Sequence, residues 1–120
     1  MHKNWTAMAT ELSGAIKDVR AGAPEIMKSF SALAQNALRT GALNSKNKEL
    51  IALAIAVAVR CDGCVAFHAE AAMKQGASCD EVMETMGMAI YMGAGPSVMY
   101  SAQAFEAFNQ FKNQQTRIAA

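Results

Sequence analysis

The chain has 120 residues, of which 52% are hydrophobic and 18% are charged, a smaller charged share than the ~25% of typical domains. Eleven basic and ten acidic side chains give a net charge of +1, so electrostatics offers no basis for binding nucleic acid or an anionic membrane surface. The length is that of a single domain, which we expect to span residues 1–120 and to close its core without metal or disulfide support.

We expect a cytoplasmic protein, because the first residues contain no uninterrupted apolar stretch of the kind that a secretory signal requires. The longest apolar run, Leu50–Val59, is shorter than the ~18 residues needed to span a bilayer. Three cysteines, an odd number, also favour a reducing compartment.

Apolar residues at helical spacing predict two helices in the first third of the chain. The first helix is expected from about Trp5 to Arg20. The second begins at Pro24, a residue that suits the first position of a helix, and ends near Arg39. Its apolar residues are Ile26, Phe30, Leu33, Ala34 and Leu38.

The third predicted helix, about Lys46 to Arg60, is unusual because Leu50–Val59 is apolar on every face. Its alternating alanines and its length favour a helix over a buried strand. A helix of this kind must be covered on all sides, and a domain of this size has too little material to do so alone. We therefore expect a symmetric homo-oligomer in which other subunits cover part of this helix or of the methionine-rich fifth helix.

Three further helices are predicted in the second half. The fourth runs from about Asp62 to Gln75. The fifth opens at a capping box, Ser78–Glu81, and extends to about Met92. Gly93–Pro96 breaks the chain before a sixth helix, about Ser97 to Lys112. The predicted fold is therefore an all-α bundle of about six helices.

Cys61, Cys64 and His68 form the densest cluster of reactive side chains in the sequence. On a helix the three fall within ~60° of one another. Two cysteines at this spacing have Cα atoms ~5–5.5 Å apart, which a disulfide accepts. A helix N-terminus lowers the pKa of a thiol, and His68 lies one turn beyond Cys64, where it can take the thiol proton. The cluster predicts a reversible redox centre.

Glu49 is a further candidate for this site. If Arg60 to Asp62 makes a sharp turn between helices that pack side by side, Glu49 comes within reach of His68. A carboxylate there would orient the imidazole and hold its proton, as the third member of a nucleophile–base–orienter set.

Two other interpretations of the cysteines stay open at this point. They can be buried core thiols, which need no aligned histidine. Alternatively, Cys61, Cys64 and His68 can bind zinc, with Glu49 or Cys79 as the fourth ligand. Structural zinc sites usually combine two C-x-x-C pairs and this chain has one, so we expect neither a metal nor another cofactor. A thioredoxin-like fold is excluded because no βαβ pattern surrounds the motif.

The spacing of Glu49, Cys61, Cys64 and His68 resembles the signature of the alkylhydroperoxidase D-like proteins of the carboxymuconolactone decarboxylase superfamily. The flanking segments Lys48–Ala54 and Gly93–Pro96 are similar too, and the resemblance covers roughly residues 32–108. The founding enzyme has a second histidine just before its second cysteine, where this chain has Gly63.

The resemblance implies an all-α oligomer, a trimer or hexamer, that reduces hydroperoxides without a prosthetic group. Cys64 would be the peroxidatic thiol, which passes through a sulfenic acid, and Cys61 would resolve it as a Cys61–Cys64 disulfide. Glu49 and His68 would form the proton relay. The implied partners are a small hydroperoxide and a dithiol reductant, such as a lipoyl protein.

Helical geometry independently favours Cys64 as the attacking thiol, because His68 is four residues from Cys64 but seven from Cys61. Two alternative functions remain. One is a decarboxylase of the carboxymuconolactone decarboxylase type, whose chemistry is not expected to centre on thiols. The other is a non-peroxidatic dithiol protein, such as a redox sensor or an assembly subunit.

Overall fold

The computed structural model describes residues 3–119, which form five α-helices and, within that range, no β-strand. The helices are α1 (Trp5–Gly22), α2 (Pro24–Leu38), α3 (Ser45–Val59), α4 (Asp62–Lys74) and α5 (Cys79–Ala119). The predicted all-α fold is confirmed. None of these helices is both long enough and apolar enough to cross a membrane.

The sequence predicted two helices in this stretch, and α5 consists of two helical segments that meet at a kink. Its one non-helical residue is Ala94, with φ 54° and ψ −140°, so the helix changes direction there without an intervening loop. Pro96 follows the kink in the first turn of the new direction, where a helix needs no backbone N–H donor. The break predicted at Gly93–Pro96 is present, at Ala94, and the two segments follow one another without a loop.

The core lies between α3, α4 and α5, which pack against one another, and α1 covers α4 and α5 from one side. The small residues of α4, Ala66, Ala69 and Ala72, are fully buried and allow close approach of the neighbouring helices. The largest buried side chains are Trp5, Leu53, Met86, Phe108 and Phe111. Both halves of α5 therefore contribute to one core.

The apolar side of α2 is not part of this core. No residue of α2 is buried, and Ile26, Phe30 and Leu33 are 72%, 59% and 63% exposed. On α3, Ile51 and Ile55 are exposed although the opposite side of the helix is buried. The accessible surface of the chain is 7367 Å², compared with about 6300 Å² for a compact monomer of its mass. A single copy thus leaves apolar helix faces in contact with water.

Candidate redox site

A tight turn joins α3 to α4 and places both cysteines. Arg60 adopts the left-handed conformation, with φ 58° and ψ 47°. Its N–H donates to the carbonyl of Val57 at 3.3 Å, and the N–H of Cys61 donates to that of Ala56 at 3.1 Å. This pair of hydrogen bonds is a Schellman motif, which ends a helix and reverses the chain. The predicted sharp turn is confirmed, and α4 begins immediately after Cys61.

Cys61 and Cys64 are joined by a disulfide, with their Cα atoms 5.2 Å apart. Cys61 is the N-cap of α4, and its Sγ accepts a hydrogen bond from the backbone N–H of Cys64 at 3.2 Å. Both residues are half-buried. In the reduced protein, the same N–H group and the helix N-terminus would stabilise negative charge on the sulfur of Cys61.

Glu49 and His68 form a side-chain pair beside the disulfide. Glu49 Oε1 lies 2.7 Å from His68 Nδ1, across the interface between α3 and α4. The Glu49 side chain is only 9% exposed, whereas that of His68 is 32% exposed. Because Nδ1 is held by the carboxylate, Nε2 is the ring atom left to exchange a proton with a reacting group. The structure thus places His68 one turn after Cys64 on α4 and pairs it with Glu49 of α3.

Gly63, between the two cysteines, is covered by α1. A Cβ atom at this position would lie 3.0 Å from Leu12 Cδ1, closer than most contacts in proteins. A histidine at this position would therefore require the Leu12 side chain to move. The sequence did not reveal this constraint, because Leu12 and Gly63 are distant along the chain.

Sequence reasoning missed a polar cluster on the other side of the cysteines. The carboxylate of Asp62 forms an ion pair with Lys3 Nζ at 2.8 Å. It also accepts a hydrogen bond from the hydroxyl of Tyr100, which is the main reason that the pKa of Tyr100 is raised; burial and the charge of Asp62 add to this effect. The acidic residue in the first turn of α4 was visible in the sequence. No spacing rule, however, connects it to a lysine before α1 and a tyrosine in the middle of α5.

Cys79 lies apart from this chemistry, at the first position of α5. Its thiol is free and half-buried, with Asn109 Oδ1 at 3.8 Å and Lys112 Nζ at 3.5 Å. Among residues 3–119, no group of three or more histidine, cysteine, aspartate and glutamate side chains is arranged to hold a metal ion.

An all-α fold with a disulfide at a helix N-terminus and a Glu–His pair beside it defines a helical protein with a C-x-x-C dithiol site. The chain belongs to the carboxymuconolactone decarboxylase family, whose sequence model matches residues 24–107. Among curated relatives, a protein of Cupriavidus necator is 37% identical over 86 residues, which are 72% of this chain and 76% of the relative. A protein of Haemophilus influenzae is 35% identical over 109 residues, 91% of this chain and 96% of the relative.

Solved structures of the same family superpose closely on this chain. A family protein from Legionella pneumophila, crystallised in its apo form, has a TM-score of 0.87 at 47% identity, covering 89% of this chain and 96% of its own. A family protein from Thermotoga maritima, for which a role in the antioxidative response has been suggested, has a TM-score of 0.82 at 22% identity and covers 94% and 97%. At the latter identity the likeness concerns the fold alone.

Proposed function

We propose that this protein is a thiol-dependent hydroperoxide reductase that uses Cys61 and Cys64 as its redox pair and Glu49 and His68 as its proton relay. The observation that carries the proposal is the joint placement of a disulfide at the start of α4 and a carboxylate-bound imidazole one turn further on. The suggested antioxidative role of the Thermotoga maritima protein is in keeping with this function. Because the likeness to that protein concerns the fold alone, the proposal rests on the cysteine, glutamate and histidine side chains of this chain.

The proposed cycle begins with a reduced dithiol. His68 takes the proton of Cys64, and the thiolate attacks the terminal oxygen of the hydroperoxide. The O–O bond breaks, its electron pair leaves with the alkoxide, and the imidazolium returns the proton to give the alcohol. Cys64 is then a sulfenic acid. Cys61 attacks this sulfur, the S–O bond breaks, and the hydroxide leaves as water with the Cys61 proton. The Cys61–Cys64 disulfide completes the oxidation.

The assignment of Cys64 as the attacking thiol follows from the helix. His68 lies four residues after Cys64 within α4, an axial separation of ~6 Å that long side chains can bridge. Cys61 lies seven residues before His68, ~10.5 Å along the axis, so Cys64 is the cysteine whose backbone position lies closer to the base. Cys61 instead has the hydrogen bond from the N–H of Cys64, which favours its thiolate for the resolving step.

Peroxide consumption with a dithiol donor tests the proposal. The reduced protein should consume hydrogen peroxide or cumene hydroperoxide catalytically with dihydrolipoamide, and the Cys64→Ser variant should not. Cys79→Ser is the matched control, because it removes the third thiol outside the site. Reduction of the disulfide by dihydrolipoamide without peroxide turnover would contradict the proposed peroxidase activity and would favour the function of a dithiol sensor. Decarboxylase activity that survives loss of both cysteines would likewise overturn the proposal.

A second part of the proposal concerns assembly into a homo-oligomer, as a trimer or hexamer. The exposed apolar residues of α3 and α5 form a continuous surface, because two shallow grooves between these helices share Ala54, Ile55 and Met88. The apolar side of α2 adds a second uncovered surface. The excess accessible area of about 1000 Å² exceeds the ~800 Å² per partner that stable complexes commonly bury. Further copies of this chain are therefore the partner that the proposal assigns to these surfaces.

A further inference from the structure

We propose that Lys3 is a positioning residue for the redox pair: by neutralising the Asp62 carboxylate beside Cys61, it keeps the proton affinity of the reactive thiols low. The inference rests on the proposed redox use of Cys61 and Cys64. Its main readout is a thiol titration, which does not depend on peroxide turnover.

Asp62 is the reason that the dithiol needs such a partner. It follows Cys61 directly and occupies the first position of α4, so its carboxylate lies within one residue of a sulfur that becomes a thiolate. A negative charge on the neighbouring residue opposes a second one and would raise the proton affinity of the thiol. Left uncompensated, Asp62 would counteract the benefit of the helix N-terminus.

The compensating charge is held in contact with Asp62. Lys3 Nζ lies 2.8 Å from Asp62 Oδ2, and the Lys3 side chain is only 29% exposed. The same ammonium lies over the aromatic rings of Trp5, at 5.2 Å, and of Tyr100, at 6.0 Å. Cation–π contacts with two rings limit the conformations of a lysine that would otherwise be mobile.

The backbone of Lys3 is fixed as firmly as its side chain. Its N–H donates to Glu106 Oε1 at 3.0 Å, and its carbonyl accepts from Gln110 Nε2 at 2.7 Å. The neighbouring Trp5 is fully buried, and its indole N–H donates to the same Glu106 oxygen at 2.9 Å. Two side chains of α5 therefore clamp the segment before α1, which distinguishes this ion pair from an ordinary surface pair of little energetic value.

Other charged or titratable groups lie on the elements around the dithiol and the Lys3–Asp62 pair, and the test has to distinguish the effect of Lys3 from theirs. The α3 side contributes Glu49 and Arg60, α4 contributes Asp62 and His68, and α5 contributes Tyr100 and Glu106, whereas the contact from α1 is the apolar Leu12. Substitutions that change Lys3 or Asp62 alone leave all the others in place.

The test is the pH titration of the thiols in the reduced full-length protein, followed by thiolate absorbance or by the rate of alkylation. Lys3→Met should raise the pKa of the lower-titrating thiol by about half a unit to one unit, because the positive charge of Lys3 beside Asp62 is removed. Lys3→Arg should restore the wild-type titration. Asp62→Asn should shift the pKa in the opposite direction, and the Lys3→Met/Asp62→Asn double variant should return towards wild type.

The reduction potential gives a second readout at a pH above the thiol pKa, where the reduced form carries the charge. If the thiol of Lys3→Met binds its proton tenfold more tightly, the reduction potential of the disulfide should fall by about 30 mV. Lys74→Met is the matched control, since it breaks the Lys74–Glu70 ion pair at the C-terminal end of α4. It should change neither the thiol pKa nor the reduction potential. Circular dichroism establishes that each variant is folded, and Asp62→Asn provides the opposite shift if Lys3→Met does not fold.

Unchanged titrations in both Lys3→Met and Asp62→Asn would overturn the inference, as would an equal shift in Lys74→Met. These outcomes are separable from failure of the proposed function. A wild-type protein that shows the Lys3-dependent titration but consumes no peroxide would contradict the peroxidase only. Peroxide turnover together with a thiol titration that does not change when Lys3 is replaced would contradict this inference only.

Discussion

Two glycines of α5, Gly93 and Gly87, should respond oppositely to alanine, and the difference measures how tightly the kink of this helix is packed. A Cβ atom at Gly93 would lie 2.0 Å from Ser97 Oγ and 3.0 Å from Ser97 Cβ. Rotation of the buried Ser97 hydroxyl removes the first contact but not the second, so the backbone at the kink must shift. At Gly87, by contrast, a Cβ atom meets nothing within 4 Å.

The expected magnitudes follow from these contacts. Replacing glycine by alanine in a helix gains ~1 kcal/mol of helix propensity at either position. Overpacking of a closed site costs about 1–3 kcal/mol, which at Gly93 exceeds the gain. We therefore expect Gly93→Ala to lower the free energy of unfolding by up to ~2 kcal/mol, and Gly87→Ala to raise it by up to ~1 kcal/mol.

Urea denaturation of the two variants and the wild type measures this difference, at one chain concentration so that any assembly affects all three alike. With a slope of about 2 kcal/mol per molar urea, the Gly93→Ala midpoint should fall by up to ~1 M. Equal stabilisation by the two substitutions would refute the reasoning, because it would mean that the backbone at the kink shifts at no cost in free energy. A change in slope rather than midpoint would indicate an altered unfolded state.

Three further predictions concern the thiols, the assembly and the acid range. Cys64→Ser should abolish the first reaction with peroxide, whereas Cys61→Ser should leave a sulfenic acid on Cys64 that dimedone traps; a trapped sulfenic acid on Cys61 in the Cys64→Ser variant, formed at the wild-type rate, would reverse the assignment. Phe30→Asp should reduce the mass measured by light scattering, while Gln35→Asp on the opposite side of α2 should not, and a wild-type mass of 12.8 kDa would contradict the proposed oligomer. The pKa of Glu81 is lowered, chiefly by its lysine partner at the start of α3, so its stabilising contribution is complete above the ordinary glutamate pKa and is lost as pH falls through the lowered one. The stability deficit of Glu81→Gln, measured by urea denaturation across pH, should therefore shrink in acid; a deficit independent of pH would exclude this ion pair as its cause.

Local sequence signals predicted the parts of the site that depend on neighbouring residues. The capping box was correct: the N–H of Glu81 donates to Ser78 Oγ at 3.1 Å, and the N–H of Ser78 donates to Glu81 Oε1 at 2.9 Å. The positions of Cys61 and Cys64 at the start of a helix were equally readable, because the apolar run ends where the next helix must begin. The meeting of Glu49 with this region followed from assuming a sharp turn.

Features that depend on distant residues could not be predicted in this way. The composition of the segment around Ala94 indicated a break in the helix, but not that the two segments would meet at a kink without a loop. The helical spacing of Phe30 and its neighbours indicated an apolar face but not whether this chain covers it. Likewise, the pairing of Lys3 with Asp62 joins residues 59 positions apart, beyond any local pattern.

Cys61 forms hydrogen bonds at the end of α3 and at the start of α4, and this affects the speed of the proposed cycle. Its backbone N–H closes the hydrogen bonds that end α3, while its side chain caps α4. The hydrogen bond from the N–H of Cys61 to the carbonyl of Ala56 involves no sulfur, so the turn can persist when the disulfide opens. The two cysteines then stay within bonding range throughout, and oxidation needs only side-chain rotations, which take picoseconds to nanoseconds. Local unfolding, which takes microseconds to seconds, is not required between the sulfenic acid and the disulfide. The chemical steps and the arrival of the reductant, rather than a conformational change, would then set the rate.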